Sequence, residues 1–420
     1  MPPDDAARIY LTSTEATALL GIRIQTLYAY VSKGLIRSVK QVGTKERLYR
    51  RDDILRVQAR SMARSGHGAV AGAALQWGEP VVPTSITELT PEGPRYRGRL
   101  AMDLASSGGS FEAVAELLWT GLWHPDIAWP RRALPPSVAT AIAPVLSVPQ
   151  GNGELAEILA MVVLRLGLAR GTVEERIVGG QTQDAAREII TAMAGCFGMI
   201  GPTRSFHRGG RGSVAQRLLE AMGVEPHAAN VHALQVVLVL FADHELSSST
   251  FVARVAASVG ASLHSCVSAA LCSASGIELS RNYDRIEDFL HAGASRPALR
   301  KRAVALHQQG LGVPGFSHPL YPEGDARAMG LLAIAKERSD GNKRLRMLLD
   351  FVEQVSQDLG LPPRHELGAL AVAQAIGLPR YSTGAVFMLA RTAGWVAHVQ
   401  EQRRAGQMIR PRAKFVTAGA

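Results

Sequence analysis

The sequence predicts a mainly α-helical protein in which a small basic domain precedes a large all-α domain. Its 420 residues are 47% hydrophobic and 20% charged, which is enough to build two or three domains with a buried core. Apolar residues recur with helical spacing over most of the chain beyond residue 100. The composition excludes a disordered, collagen-like or disulfide-stapled protein.

The net charge of +10 is concentrated at the N-terminus. The first 66 residues carry twelve Lys or Arg and six Asp or Glu, so they hold +6 of that charge. This asymmetry indicates a polyanionic partner for the N-terminal domain, although a charged run is also typical of an ordinary solvated face.

Two short helices joined by a glycine turn are predicted within residues 12–34. The first begins in Thr12–Glu15, where a hydroxyl caps it, and ends at Gly21. The second runs from Arg23 to Ser32. We expect its apolar face to consist of Ile24, Leu27 and Val31, and its other face to offer Arg23, Gln25, Thr26 and Tyr30.

A basic hairpin is predicted within residues 35–51, around Gly43-Thr44, with a further helix from Asp52. After two such helices the hairpin would be a wing. The run LTSTEATALLGIRIQTLYAYVSKGLIRS followed by RLYRRDDI resembles the MerR/excisionase-like helix-turn-helix. The small domain is therefore expected to be a winged helix-turn-helix.

The resemblance implies DNA contact by the second helix and phosphate contacts by basic residues that follow. The residues expected to contact DNA from the second helix are Arg23, Gln25, Thr26, Tyr28 and Lys33. Those expected near phosphates are Arg47, Arg50 and Arg51. A helical docking module that never meets DNA is the alternative. One such domain buries little surface, so useful affinity would require a dimer.

Three segments describe the expected domain organisation. Residues 1–66 form the helix-turn-helix domain, residues 67–78 a linker of Gly, Ala and Ser, and residues 79–420 the large domain. A small hairpin around Pro91-Glu92-Gly93 opens the large domain. Helices are predicted over 100–105, 111–121, 154–168, 184–195, 213–222, 227–240, 247–272, 297–309, 326–337, 341–358, 366–376 and 382–404.

Four segments of the large domain carry a further resemblance. They are ADHELSSSTFVARVAAS (242–258), PGFSHPLYPEGDARA (314–328), LARTAGWVAHVQEQ (389–402) and IRPRAKF (409–415). Together with YRGR at 96–99, and in this order, they resemble the citrate synthase family over residues 77–420. The resemblance implies a helical fold of two subdomains, a homodimer, and a cleft in which acetyl-CoA or another acyl-CoA condenses with oxaloacetate or a similar keto dicarboxylate.

The same resemblance implies roles for five residues. His244 matches a histidine that binds oxaloacetate, and His318 matches the one that polarises its ketone. Arg327, Arg391 and Arg410 match the arginines that grip the carboxylates, the last reaching in from the neighbouring subunit. Guanidinium groups suit this task because they pair with carboxylates in a bidentate way. The keto-acid pocket is therefore expected to be intact.

Two catalytic positions depart from the family pattern. Leu279 aligns with the histidine of a G-P-L-H-G-G-type turn that holds the thioester oxygen, and the nearest histidine, His264, lies fifteen positions upstream, about four helical turns. The family's N-x-D-F, whose aspartate is the base, becomes RHEL at 364–367, so Glu366 keeps a carboxylate on a longer side chain. A misplaced base and a lost oxyanion donor imply a slow or inactive synthase.

Three functions remain open at this stage. The first is a weak citrate synthase-like acyltransferase with Glu366 as base and His318 as electrophile. The second is a catalytically inactive transcriptional regulator that senses a metabolite and binds DNA. The third is an inactive partner of an active paralogue. No role is assigned to His207, His365 or His398.

The cofactor and location expectations are simple. The three cysteines show no metal-binding spacing, so we expect no bound metal. Three thiols are also too few for a disulfide framework, so we expect the protein in a reducing cytoplasm. No permanently bound cofactor is implied, because the coenzyme A thioester would be a substrate or ligand. The uncharged stretch from Val255 to Ile277 contains six serines and a histidine, so it is interpreted as a packed helix rather than a membrane span.

Overall fold

The computed structural model of this chain describes most of its residues. These are 10–32, 35–36, 38–40, 47–50, 53–54, 57, 82–129, isolated positions between 134 and 146, 154–170, 181–208, 212–293, 295–309 and 311–411. The chain divides into two compact units, Met1–Pro83 with Arg410–Ala420 and Thr84–Ile409.

The N-terminal unit contains the two predicted helices and the predicted hairpin. Its elements are β1 (Tyr10–Leu11), α1 (Ser13–Leu20), α2 (Ile24–Ser32), β2 (Ser38–Lys40) and β3 (Arg47–Arg50). The strands form an antiparallel sheet in the order β1-β3-β2. Thr12 and Glu15 form a reciprocal capping box at the start of α1, and Gly21 ends the helix in a left-handed conformation.

A small apolar core holds this unit together. Its buried members are Leu11, Ala16, Leu27, Ile36, Tyr49, Ile54 and Val57. Leu27 is buried as predicted, but the expectation for Ile24 was wrong, because this first residue of α2 is 42% exposed. The expectation for Tyr30 was also wrong: it packs against the core because it lies three residues after Leu27, on the same helix face. The Gly43-Thr44 turn, most of the helix expected from Asp52 and the linker at 67–78 lie outside the described residues.

The large unit begins with the predicted hairpin and continues as helices. Its strands are β4 (Thr87–Thr90), β5 (Gly93–Tyr96) and β6 (Arg99–Leu100), paired antiparallel in that order. Its first helices are α3 (Ala101–Ser106), α4 (Phe111–Thr120), α5 (Leu155–Leu168), α6 (Gln181–Cys196), α7 (Val214–Met222) and α8 (Ala228–Phe241). The later ones are α9 (Ser248–Ser258), α10 (Leu263–Ala274), α11 (Ser280–His291), α12 (Arg296–Gln308), α13 (Ala326–Glu337), α14 (Lys343–Leu359), α15 (His365–Ile376) and α16 (Thr383–Ala405).

The prediction of one helix over 247–272 was wrong. The segment is two helices, α9 and α10, separated by a turn in which Gly260 has a φ of 78°. Small residues continue across that turn, so hydrophobic spacing alone did not reveal it. Because α10 ends at Ala274, the residues from His264 to Leu279 do not form one continuous helix. The sequence also missed α11, whose composition is mostly polar.

Helix α16 occupies the centre of the large unit. It is buried on every side over most of its length, and it contacts α4, α8, α9, α10 and α11. Gly394 brings α16 against the ADHE segment, because its N–H donates to the carbonyl of Ala242 and a Cβ there would lie 2.0 Å from Asp243 Oδ1. The LARTAGW and ADHE segments are thus adjacent in the fold. Across the described ranges, no helix is both long and apolar enough to cross a membrane.

Candidate active site

Two histidines that are distant in sequence meet in the large unit. His244 follows the end of α8, and His318 lies in the loop before α13, with 6.2 Å between their ring centroids. The Nε2 of His244 is 2.9 Å from the hydroxyl of Tyr321, which fixes the orientation of the buried imidazole. The structure therefore brings together two residues that the sequence assigned to the same substrate.

The backbone beside each histidine has an uncommon conformation. Glu245, directly after His244, has a φ of 51°, and Ser317, directly before His318, has a φ of 55°. Gly315 has a φ of 86°, and a Cβ there would lie 2.6 Å from the Cγ of Leu367. Strained or glycine-dependent loops of this kind cluster at functional sites.

Arg327 is a buried cation held by a buried anion. Asp325 caps α13 and accepts hydrogen bonds from the Nε of Arg327 at 3.0 Å and from its Nη2 at 2.7 Å. Both residues are 1% exposed. Within the described part of the chain, Arg327 Nη1 has no hydrogen-bond partner. A ligand carboxylate would satisfy this donor, since a buried unpaired polar group is costly.

The other two predicted arginines have different surroundings. Arg391 lies on α16, is 3% exposed, donates from Nε to the carbonyl of Phe241 at 2.9 Å and stacks over Phe387. Burial lowers its pKa. Arg410 is exposed and falls outside the helical unit, which ends at Ile409. Its reach into a neighbouring subunit stays a prediction.

Both histidines are held neutral. Burial, Arg327 and Arg391 together lower the pKa of His244 well below its usual value. Burial and nearby positive groups lower the pKa of His318 to about 4. The backbone N–H of Leu320 donates to Nδ1 of His318 at 3.1 Å, so the neutral ring carries its proton on Nε2. His318 is thus a neutral N–H donor.

Glu366, the residue at the expected base position, is tightly paired. It is 3% exposed, and the Nη2 and Nε of Arg364 donate to its two oxygens at 2.6 and 3.1 Å. Asn282 donates to the same carboxylate at 3.0 Å. Burial alone would raise the pKa of Glu366, but His365 and Arg364 outweigh it and lower the pKa to about 2. Such a carboxylate is a weak proton acceptor at neutral pH.

Leu279 occupies the N-cap of α11 and packs partly buried against the main core. Its side chain offers no donor to a thioester oxygen.

Sequence reasoning missed His365, Asp325 and Arg364. His365 was given no role, yet its Nδ1 lies 3.2 Å from Asp325 and 3.4 Å from Glu366, so it connects the two carboxylates. A signal was available, because His365 and Arg364 immediately precede Glu366 and Asp325 lies two residues before Arg327.

A second buried network supports the segment that carries His244. His398 lies 3.3 Å from Asp243 Oδ2 and 3.4 Å from Arg254, which in turn pairs with Glu401 at 2.9 Å. His398, also given no role from sequence, therefore helps to hold Asp243, the residue directly before His244.

Two hydrogen-bond partners of Glu366, Asn282 and Arg364, line an open cleft of about 360 Å³. Asn282, Arg364 and Ser317 line it together with the basic side chains of Arg285 and His307. A cavity of about 440 Å³ lies elsewhere, between the α3–α4 turn, α7 and α8, and none of the residues discussed above lines it. Of these two cavities, only the first is lined by residues that contact Glu366.

The second candidate surface is the outer face of α2 in the N-terminal unit. Arg23, Gln25, Thr26 and Tyr28 are all exposed there. Arg47 is also exposed, and its Nη1 donates to Ser38 at 3.1 Å. Lys33 and Arg51 lie outside the described residues, as does the side chain of Arg50.

Two family models match the chain. The citrate synthase C-terminal domain matches residues 74–412, and a helix-turn-helix domain matches residues 10–62.

Similar proteins agree with the citrate synthase match. Citrate synthase 2 of Bacillus subtilis is 25% identical over 361 residues, which is 80% of this chain and 94% of the relative. The 2-methylcitrate synthase of Shewanella oneidensis is 27% identical over 359 residues, 79% of this chain and 91% of the relative. A citrate synthase of Thermoplasma acidophilum, solved as a ternary complex with carboxymethyl coenzyme A and oxaloacetate, superposes with a TM-score of 0.68 at 20% identity, over 81% of this chain and 94% of that one.

Proposed function

The chain belongs to the citrate synthase family, and on that premise we propose that it is an acyltransferase of low turnover that joins a coenzyme A thioester to a keto dicarboxylate such as oxaloacetate. The observation that carries the proposal is the contrast around Glu366. His244, Arg327 and Arg391, three of the groups expected to bind the keto acid, are buried and held by hydrogen bonds. The carboxylate expected to act as base is instead paired with Arg364.

Binding of the keto acid is proposed to use five side chains. Arg327, through its unpaired Nη1, and Arg391 bind the carboxylates, and Arg410 of the neighbouring subunit adds a third guanidinium in a homodimer. His244 donates to the substrate, and His318 polarises the ketone. This set supports a dianionic ligand, because Arg327 keeps one unpaired nitrogen and Arg391 forms no ion pair with another described residue.

The chemical step is a Claisen-type condensation. Glu366 takes a proton from the carbon next to the thioester carbonyl, and the electron pair of that C–H bond forms an enolate. The enolate carbon then attacks the ketone carbon, and the alkoxide that forms accepts a hydrogen bond from the Nε2–H of the neutral His318 and takes its proton from water. Hydrolysis of the resulting thioester releases coenzyme A. A base with a pKa of about 2 makes the first of these steps slow.

Release of thiol from acetyl-CoA in the presence of oxaloacetate tests the proposal. We expect turnover well below that of Bacillus subtilis citrate synthase 2 measured alongside it. Equal turnover would contradict the weak-enzyme proposal. A thermal-shift screen with oxaloacetate, citrate, coenzyme A and short acyl-CoAs tests binding separately, and no stabilisation by any of them would remove the keto-acid assignment.

A second function, a metabolite-sensing transcriptional regulator, is favoured by the α2 surface. Its exposed Arg23, Gln25, Thr26 and Tyr28 suit base and phosphate contacts, and Lys33, Arg47, Arg50 and Arg51 would add positive charge. Binding to duplex DNA should weaken steeply with salt, and Arg23→Ala should reduce the salt dependence. DNA binding that is insensitive to salt would count against this function. An inactive partner of an active paralogue would instead restore or alter turnover only on mixing.

A further inference from the structure

A buried tyrosine in the candidate site has no structural task that the fold explains. Tyr283 on α11 is 2% exposed, and its hydroxyl has no hydrogen-bond partner anywhere in the described residues. Its ring packs against Phe241, His365 and Phe387. Phenylalanine would fill this volume without the cost of an unsatisfied buried hydroxyl, so the hydroxyl itself requires an explanation.

The position of Tyr283 in α11 relates it to the missing donor. Leu279 is the N-cap of α11, and Tyr283 follows it by four residues, one helical turn. Helical side chains point back toward the N-terminus and over the residue four positions earlier. The phenol therefore projects toward the end of α11 at which the family's histidine would stand.

The electrostatic surroundings favour a neutral donor at this place. Four charged groups of the candidate site act electrostatically on Tyr283: Glu366, Arg391, Arg327 and Arg364. Burial and the charge of Glu366 raise the pKa of Tyr283 well above its usual value, so the hydroxyl keeps its proton. A buried hydroxyl that remains protonated can stabilise a nearby oxyanion.

Asn282 is the competing donor on the same helix. Its amide lines the open cleft, but one N–H already donates to Glu366 at 3.0 Å. The contact with a carboxylate also fixes the amide nitrogen on that side. The hydroxyl of Tyr283 has no such commitment.

We propose that the Tyr283 hydroxyl is the donor to the thioester oxygen as the enolate forms, in place of the histidine that Leu279 replaces. This proposal rests on the proposed acyltransferase function. When Glu366 takes the proton from the carbon next to the thioester carbonyl, the C–H electron pair places negative charge on the thioester oxygen. The Tyr283 O–H then donates a hydrogen bond to that oxygen without transferring its proton.

Tyr283→Phe removes only the unpaired oxygen. We expect kcat for citrate formation to fall by about 10²–10³-fold, with the KM of both substrates little changed. The variant should be as stable as the wild type or more so, because the lost hydroxyl has no partner. Tyr381→Phe is the matched control: its hydroxyl bonds to Asp288 at 2.6 Å at the surface, and its loss should leave turnover unchanged.

Several outcomes would overturn the assignment. Unchanged kcat in Tyr283→Phe would do so, as would a rise in the KM of oxaloacetate with kcat intact, because that pattern belongs to a keto-acid ligand. Loss of turnover in Asn282→Ala while Tyr283→Phe stays active would transfer the role to Asn282.

A binding measurement separates failure of this inference from failure of the proposed function. Carboxymethyl-CoA bears a permanent carboxylate near the place where the enolate oxygen forms. With oxaloacetate present, we expect Tyr283→Phe to weaken its binding on the order of tenfold and to leave oxaloacetate binding unchanged. Equal affinity in wild type and variant overturns the role of Tyr283 alone. A wild type that neither turns over nor binds carboxymethyl-CoA overturns the acyltransferase function together with it.

Discussion

The two halves of the candidate site differ in what their charges do. Around Arg327, a buried aspartate orients the guanidinium yet leaves one nitrogen unpaired. Around Glu366, Arg364 and Asn282 occupy the carboxylate that would have to take a proton. The same kind of ion pair therefore leaves a donor nitrogen unpaired in one half and accompanies a lowered carboxylate pKa in the other. Residue types alone do not separate these cases, because each half contains an arginine next to a carboxylate.

Removal of the buried cation should have the largest effect. We expect Arg327→Gln to lower the free energy of unfolding by about 3–5 kcal/mol, because Asp325 would remain buried without its counter-charge, and to abolish oxaloacetate binding. Urea unfolding and calorimetric titration measure the two effects. As a control, Arg300→Gln breaks a partly exposed pair with Asp358 and should cost about 0–1 kcal/mol. Similar losses in both variants would contradict the special status of Arg327.

Restoring the family residues in the other half should raise activity. The double variant Leu279→His with Glu366→Asp supplies a histidine donor and shortens the base, so kcat should rise by on the order of 10²-fold, about 2.7 kcal/mol in the barrier. Thiol release measures the gain. An unchanged rate would mean that other residues, for example Arg364, also limit turnover.

The Arg364–Glu366 pair should appear in the pH dependence of stability. The folded-state pKa of Glu366 is about 2, below the ordinary 4.5, because His365 and then Arg364 lower it. These contacts therefore stabilise the fold fully above pH 4.5, and the contribution is lost as the pH falls through 2. We expect Arg364→Asn to be less stable than the wild type by about 1–3 kcal/mol at pH 7 and equally stable near pH 2. Urea unfolding at several pH values checks this. A difference that persists at pH 2 would assign the effect to packing of Arg364 instead.

The smallest expected effect concerns the orientation of His244. Tyr321→Phe removes the hydroxyl that lies 2.9 Å from Nε2 of His244, so oxaloacetate binding should weaken by about 0.5–1.5 kcal/mol. Calorimetric titration with oxaloacetate measures it. Binding equal to that of the wild type would show that the imidazole needs no support from Tyr321.

Much of the fold could be predicted from the sequence because it depends on local signals. The capping box of Thr12 and Glu15 and the pairing of β4 with β5 follow from residues close together in the chain. The break at Gly260 did not, because small residues continue across it. Helix α11 was also missed, although its buried Tyr283, Ile286 and Leu290 recur at helical spacing, because most of its residues are polar. For the candidate site, the ordered motifs identified His244 and His318, and the structure places them 6.2 Å apart.

The sequence by itself determined the helical class and the helix-turn-helix, and it predicted that Leu279 and Glu366 stand at two catalytic positions of the family. Only the tertiary structure decided the surroundings of those two residues. A glutamate retains its usual basicity or loses it according to the groups that surround it. Here His365 and Arg364 lower the pKa of the buried Glu366 to about 2. Likewise, the hydroxyl of Tyr283 becomes a candidate donor because the fold buries it without a partner among the described residues. The burial of Glu366 and Tyr283, and the contact of Asn282 with Glu366, depend on segments that are distant in sequence, which no local pattern encodes.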